Sequence, residues 1–173
     1  MYRFWYFLGS IRLQIFDNAC CEHNHDCCIA SALDQAEKLC QKQGARLTPL
    51  RRQVLELVWQ NHKPVGAYDI LAMLSQTQER SAAPPTVYRA LDFLQTQGLV
   101  HRIASLNAYI GCPHPEQPHE SSFLICEQCR TTVELDNAVI STAIAQAADT
   151  SGFLVSHSNV ELTGLCPNCR KPD

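Results

Sequence analysis

Two cysteine pairs constrain this chain more than anything else in it. Cys126-Glu-Gln-Cys129 and Cys166-Pro-Asn-Cys169 share the spacing C-x2-C. Such a turn sets two thiolates at the right separation for one tetrahedral cation, and two such turns complete a four-cysteine zinc site. Residues 130–165 lie between the pairs, so a metal there would tie the end of a module to its beginning. The competing reading is a pair of redox dithiols or disulfides. Against it, neither pair sits in a thioredoxin-like strand–turn–helix setting. A unit of about 65 residues has a small core and often needs a staple. Zinc binding of this type contributes about 10–16 kcal/mol of apparent folding free energy, as much as a typical domain's whole stability.

The rest of the chain has room for a second module. Its 173 residues make one large domain or two small ones. A hydrophobic fraction of 46% supports a real core and excludes wholesale disorder. With 7 Gly and 18% charged residues, collagen-like and coiled-coil chains are excluded too. The net charge of −3 argues by itself against nucleic acid, but it hides an asymmetry. Residues 38–102 carry nine basic and four acidic side chains, a balance of +5, whereas residues 103–173 carry three and eight, a balance of −5. A basic module can hold a polyanion inside an acidic chain; charge alone does not separate this from solvated helix faces.

Periodicity orders the first module. Leu33, Ala36, Leu39 and Cys40 predict a helix over 30–43, stopped by Gly44. Thr48 is a good N-cap and Pro49 a good first helical residue, with Leu50, Val54, Leu57 and Val58 as the following stripe. A third helix is predicted over 67–75 and a polar connection over 76–85. A fourth helix over 86–97 has Val87, Ala90, Leu91 and Leu94 on one face and Tyr88, Arg89, Asp92 and Gln95 on the other. Short strands over 99–103 and 108–111 then form a two-stranded hairpin. Helices followed by a hairpin are the order of a winged helix-turn-helix, whose recognition helix would be 86–97. A small helical core with an ordinary polar face fits the same pattern.

The second module reads as α+β. Strands are predicted over 122–125 and 131–135, around Cys126 and Cys129. A helix follows over 137–148, with Val139, Ile140, Ala143, Ile144 and Ala147 on its apolar side, and then a strand over 153–162. A second set of possible ligands gathers around the junction: His101, Cys112, His114, His119, Glu134 and His157. They suit a mixed N/S/O zinc site, but spacing does not choose among them. Upstream, Cys20, Cys21, His23, His25, Cys27 and Cys28 follow no fixed-geometry pattern and read as a flexible tail. The first 19 residues are rich in aromatics, with Arg12 and Asp17 breaking the apolar stretch. A weak signal peptide, a disordered extension and a start codon set too far upstream compete there, the last two being favoured. No 18-residue apolar run occurs, so no transmembrane helix is expected.

Together these residues carry a resemblance. Pro84-Pro-Thr-Val-Tyr-Arg-Ala-Leu-Asp-Phe-Leu94, Arg46-Leu-Thr-Pro49 and the two C-x2-C pairs resemble the ferric uptake regulator superfamily. Ala36-Glu-Lys-Leu-Cys40, Ala67-Tyr-Asp69, Gln97-Gly-Leu-Val-His101, Asn107-Ala-Tyr109 and Gly164-Leu-Cys166 narrow the resemblance to the zinc uptake regulators within it. It covers about residues 30–170. It implies an α+β chain in three parts: an extension over 1–29, a winged-helix DNA-binding domain over 30–104, and a zinc-binding dimerisation domain over 105–173. It implies about two zinc ions per subunit. The structural ion would sit on Cys126, Cys129, Cys166 and Cys169, and the regulatory ion on His101, Cys112, His119 and Glu134. The histidine-rich run that the iron-responsive members carry before the first knuckle is missing; Cys112-Pro-His-Pro-Glu-Gln-Pro-His119 stands there. A thiolate among the sensing ligands favours zinc over Fe²⁺. His114 stays unassigned, and His157 is held in reserve.

The implied function is a cytoplasmic, dimeric, zinc-responsive repressor of zinc-uptake genes, binding an A/T-rich palindromic operator in double-stranded DNA. Neither a membrane nor a small-molecule substrate is involved. Thr86, Tyr88 and Arg89 are the expected contacts on the recognition helix, with Arg46, Arg51 and Arg52 toward phosphates. The nearest rival is a sensor of Fe²⁺, Mn²⁺, Ni²⁺ or peroxide within the same superfamily. An enzyme is disfavoured: the zinc-deaminase pattern H-x-E with P-C-x-x-C is absent, and a four-cysteine site leaves no open position for water.

Overall fold

Apolar residues recurring every three or four positions build the first half of the molecule. A computed structural model describes residues 25–60, 63–77, 83–116, 121–135, 138–156 and 158–170. Helix α1 spans His25–Lys42 and α2 spans Pro49–Trp59. Thr48 caps α2 as its chemistry demands, with Oγ1 accepting from the Arg51 N–H at 3.4 Å. Helices α3 (Ala67–Thr77) and α4 (Pro84–Thr96) follow. Gly98, at φ 69, takes the left-handed position after α4. There Leu99 N–H bonds the Leu94 carbonyl at 2.9 Å and Gly98 N–H bonds that of Gln95 at 2.9 Å, closing a Schellman turn. The predicted stripes converge: Leu33, Ala36, Leu39, Cys40, Val54, Leu57, Val58, Val87, Ala90, Leu91 and Leu94 all belong to one buried cluster.

Three expectations are corrected here. Helix α1 begins at His25 rather than at residue 30, and Cys28, assigned to a flexible tail, is buried in it while Ile29 packs on the core. Helix α4 begins at Pro84, because a proline at the first helical position has no missing partner to lose. The hairpin is part of a three-stranded sheet. Strand β1 (Val65–Gly66) pairs with β3 (Ala108–Gly111), which pairs with β2 (Val100–Ile103). The expected boundary at 104/105 falls in the β2–β3 turn. Gly111 closes this unit: a methyl group there would overlap the indole of Trp59, so its lack of a side chain lets α2 lie on β3.

The second sheet has the order β5-β4-β6. Strand β4 (Ser122–Cys126) pairs antiparallel with β5 (Thr132–Leu135) and parallel with β6 (Val160–Gly164). The parallel pairing needs a crossover, and α5 (Ala138–Thr150) supplies it. The strand predicted over 153–162 is corrected to Val160–Gly164. Phe153, Leu154 and Val155 are apolar enough for a strand, but they make no ladder among the described residues and are exposed. The apolar side predicted for α5 is not buried among the described residues: none of the helix's residues is buried, and Val139 is 76% exposed.

The two sheets meet around Ile103, Phe123 and Ile125, with Leu106 and Ile110 packed alongside. Next to this cluster Glu161 of β6 reaches the β2–β3 turn. Its Oε1 accepts from the Ala104 N–H at 2.6 Å and its Oε2 from the Ser105 N–H at 3.0 Å. Burial disfavours the charged form of Glu161, but the hydrogen bonds from Ser105, Ala104 and Asn159 outweigh it and hold the carboxyl below its ordinary pKa.

Candidate metal centres and nucleic-acid face

The two knuckles face each other because β4 and β6 run side by side. Cys126 ends β4 opposite Gly164, and Glu127 N–H bonds the Gly164 carbonyl at 2.8 Å. The turn after Cys126 closes with Arg130 N–H on the Cys126 carbonyl at 3.0 Å, Arg130 taking φ 61. The second turn closes with Cys169 N–H and Arg170 N–H on the Cys166 carbonyl at 2.9 and 2.8 Å. The four sulfurs lie within 4.8 Å of one another. Tetrahedral zinc with Zn–S of about 2.3 Å requires sulfurs about 3.8 Å apart. Cys129 and Cys166 Sγ are 3.6 Å apart, so the donor set fits that ion. Backbone N–H groups of Cys129 and Cys166 point at the Cys126 sulfur and push its pKa down to about 6. One thiolate is therefore prepared before any cation arrives.

A second constellation draws on both sheets. His101 of β2, Cys112 just after β3 and Glu134 of β5 bring their ligand atoms within 4.8 Å of one another. His101 Nε2 is 3.2 Å from Glu134 Oε1, and both side chains are mostly buried. Ser121 bridges them, its Oγ 3.0 Å from His101 Nδ1 and donating to Glu134 Oε1 at 3.0 Å. The His101 ring leans on Phe123, with centroids 5.5 Å apart. Cys112 is buried, and its thiol is pushed up to about 12, first by burial and then by the Glu134 charge. A thiol and a carboxylate confined together in this way suit a divalent cation, which would relieve both. Imidazole, thiolate and carboxylate are the donor types zinc accepts. His114 is not in this group; its backbone N–H is what reaches toward Cys112. His119 and His157 lie outside the described residues.

The expected DNA contacts lie on α4, on α2 and just before α2. Thr86 and Arg89 are exposed on α4, Arg46 is exposed before α2, and Tyr88 is half-buried. Arg52 lies 3.8 Å from Glu37. Arg51 is engaged within the fold: its guanidinium sits 3.5 Å over the Phe93 ring and donates to the Arg46 carbonyl at 2.7 Å. It thereby ties α2 to α4. Two residues escape a reading of the sequence alone. Tyr68, 69% exposed at the start of α3, stands edge-on to Tyr88 with centroids 6.5 Å apart. An aromatic one residue into a helix, and off its apolar stripe, was the available signal. Ser121 gave none, since its role depends on two distant partners.

The sequence and the fold are both matched by known proteins. Residues 42–163 match the family model described as the ferric uptake regulator family, and the chain belongs to that family. The zinc uptake regulation protein of Escherichia coli K12 is 41% identical over 138 residues, covering 79% of this chain and 80% of that protein. A solved zinc uptake regulator complexed with zinc and DNA superposes with a TM-score of 0.78 at 40% identity, covering 82% of this chain and 94% of that one. The holo form of XcZur superposes with a TM-score of 0.74 at 40% identity, covering 80% and 96%.

Proposed function

We propose that this chain is a zinc-responsive transcriptional repressor that binds operator DNA as a homodimer and controls zinc-uptake genes. The observation that carries the reading is the gathering of His101, Cys112 and Glu134, donors from both sheets, into one ligand-sized space. Its likeness to a regulator solved with zinc and DNA supports the same reading. The residues have regulatory rather than catalytic work to do.

In this reading Cys126, Cys129, Cys166 and Cys169 hold a structural ion, and His101, Cys112, Glu134 and His119 hold the regulatory one, giving about two zinc ions per subunit. Bound zinc supplies a positive charge that stabilises the Cys112 thiolate beside Glu134. His101 belongs to the strand that leaves the recognition helix, whereas Glu134 belongs to the second sheet. Holding both in one place restrains the angle between α4 and that sheet. Shifting a dimer from 1% to 99% competent requires about 5.5 kcal/mol of preferential binding, within reach of one well-formed site. The unburied apolar residues of α5, Phe153 and Leu154 are the surface a second copy would cover.

On DNA, α4 enters the major groove with Thr86, Tyr88 and Arg89. Tyr68 extends that face, Arg46 and Arg52 meet phosphates, and Arg51 supports them from its seat on Phe93. The free-thiol chemistry suits a reducing cytoplasm. The test is operator binding against buffered free metal. Binding promoted by trace Zn²⁺ supports the reading; binding promoted by Fe²⁺ or Mn²⁺ but not by Zn²⁺ overturns it.

A further inference from the structure

Glu134 and Glu161 occupy one row of the second sheet. Phe123 of β4 is registered opposite Glu134 on one side and Glu161 on the other. Strands lie about 4.8 Å apart, so the two glutamates are about 10 Å apart across the sheet. Both address the same β2–β3 hairpin. Glu134 meets His101, and Glu161 meets the Ala104 and Ser105 amides. His101 and Ala104 are themselves about 10 Å apart along the chain. Phe123 fills the space between, in one cluster with Ile103.

We propose that Glu161 is a metal-independent clamp that sets the orientation of the wing hairpin on the second sheet, so that the His101–Cys112–Glu134 donors are held ready for their ion. This rests on the repressor reading given above. The His101 contact and the apolar packing of Ile103, Leu106 and Ile110 are not directional enough to fix the hairpin's angle alone. A second tether about 10 Å away fixes that angle. Glu161 suits this role because its grip is bidentate and falls on backbone amides. Both oxygens are engaged, Asn159 Nδ2 also donating to Oε1 at 3.1 Å, so the carboxylate is held to one direction. None of its hydrogen bonds requires the cation. Glu161 is thus a positioning residue for zinc sensing rather than a ligand.

The test compares full-length wild type with Glu161→Ala and the near-isosteric Glu161→Gln, which guards against a loss of folding in the first. Four quantities are read: hydrogen exchange at the Ala104 and Ser105 amides, zinc affinity of the regulatory set by competition, operator affinity at saturating zinc, and thermal midpoint. The clamp predicts about tenfold faster exchange in Glu161→Ala, with zinc and operator affinities each weakened about tenfold, the size expected from losing charge-assisted hydrogen bonds that are partly exposed. Glu161→Gln should fall between, and the four-cysteine zinc content and thermal midpoint should hold. Unchanged exchange overturns the clamp, and so does faster exchange with both affinities intact. If wild type itself shows no zinc-dependent operator binding, the repressor reading fails, and exchange and zinc affinity alone decide on Glu161.

Discussion

His101 Nε2 lies 3.2 Å from Glu134 Oε1, although the two residues come from different sheets and α4 leads directly into the strand that carries His101. In the proposed reading, this short distance joins the sensing chemistry to the recognition helix. The cysteines divide accordingly. Four gather at one end of the second sheet, and Cys112 joins the group that spans the sheets.

Cys112→Ser should therefore separate stability from response. The variant should keep its four-cysteine zinc, its helical content and its dimeric state, and lose zinc-dependent operator binding by at least about 100-fold, because losing a ligand costs more than the roughly 10–100-fold that losing an outer-shell partner does. Zinc content, circular dichroism and a mobility-shift assay check it. An unfolded variant would make Cys112 structural instead.

Zinc binding at the regulatory set should depend on pH. The Cys112 thiol, raised to about 12, is protonated at neutral pH and must lose that proton to bind a cation. Zinc affinity of the regulatory set should then rise about tenfold per pH unit between about pH 7 and 8. A competition titration of the second zinc equivalent across this range checks it; an affinity that does not change with pH would contradict proton release from Cys112.

Cys126→Ser should cost far more than a surface change. It removes a ligand whose sulfur accepts from the Cys166 N–H at 3.4 Å, and with it the link between the two knuckles. The second sheet should lose its cooperative unfolding and the chain its zinc-dependent heat stability, because structural zinc contributes about 10–16 kcal/mol in comparable sites. Calorimetry with and without chelator tests this.

Gly111→Ala should destabilise the first unit by about 1–3 kcal/mol, the usual cost of overpacking, because the new methyl meets the Trp59 ring. Chemical denaturation measures it, and a Trp59→Leu background should return part of the loss.

Much of this architecture was legible in the sequence because it is local. Thr48 and Pro49 start a helix by their own chemistry, Gly98 ends one, and C-x2-C spacing is a property of a single turn. Four-cysteine closure could also be inferred, since each knuckle lacks a partner without the other. Pairing across long separations was not legible. Strand β1 has two residues and exists only because β3 lies beside it. The segment around Phe153–Val155 has strand composition but pairs with no strand among the described residues. Glu161 reads as an ordinary strand glutamate until the fold brings it to the Ala104 turn. His101, Cys112 and Glu134 were suggested by a resemblance, since spacing does not choose them; their proximity is a tertiary fact.

The most direct test of zinc sensing by the His101–Cys112–Glu134 set is operator affinity followed while zinc is added to protein already holding only its four-cysteine ion. DNA binding is predicted to stay weak at one zinc per chain and to switch on with the second equivalent. Full operator affinity at one zinc per chain would contradict it.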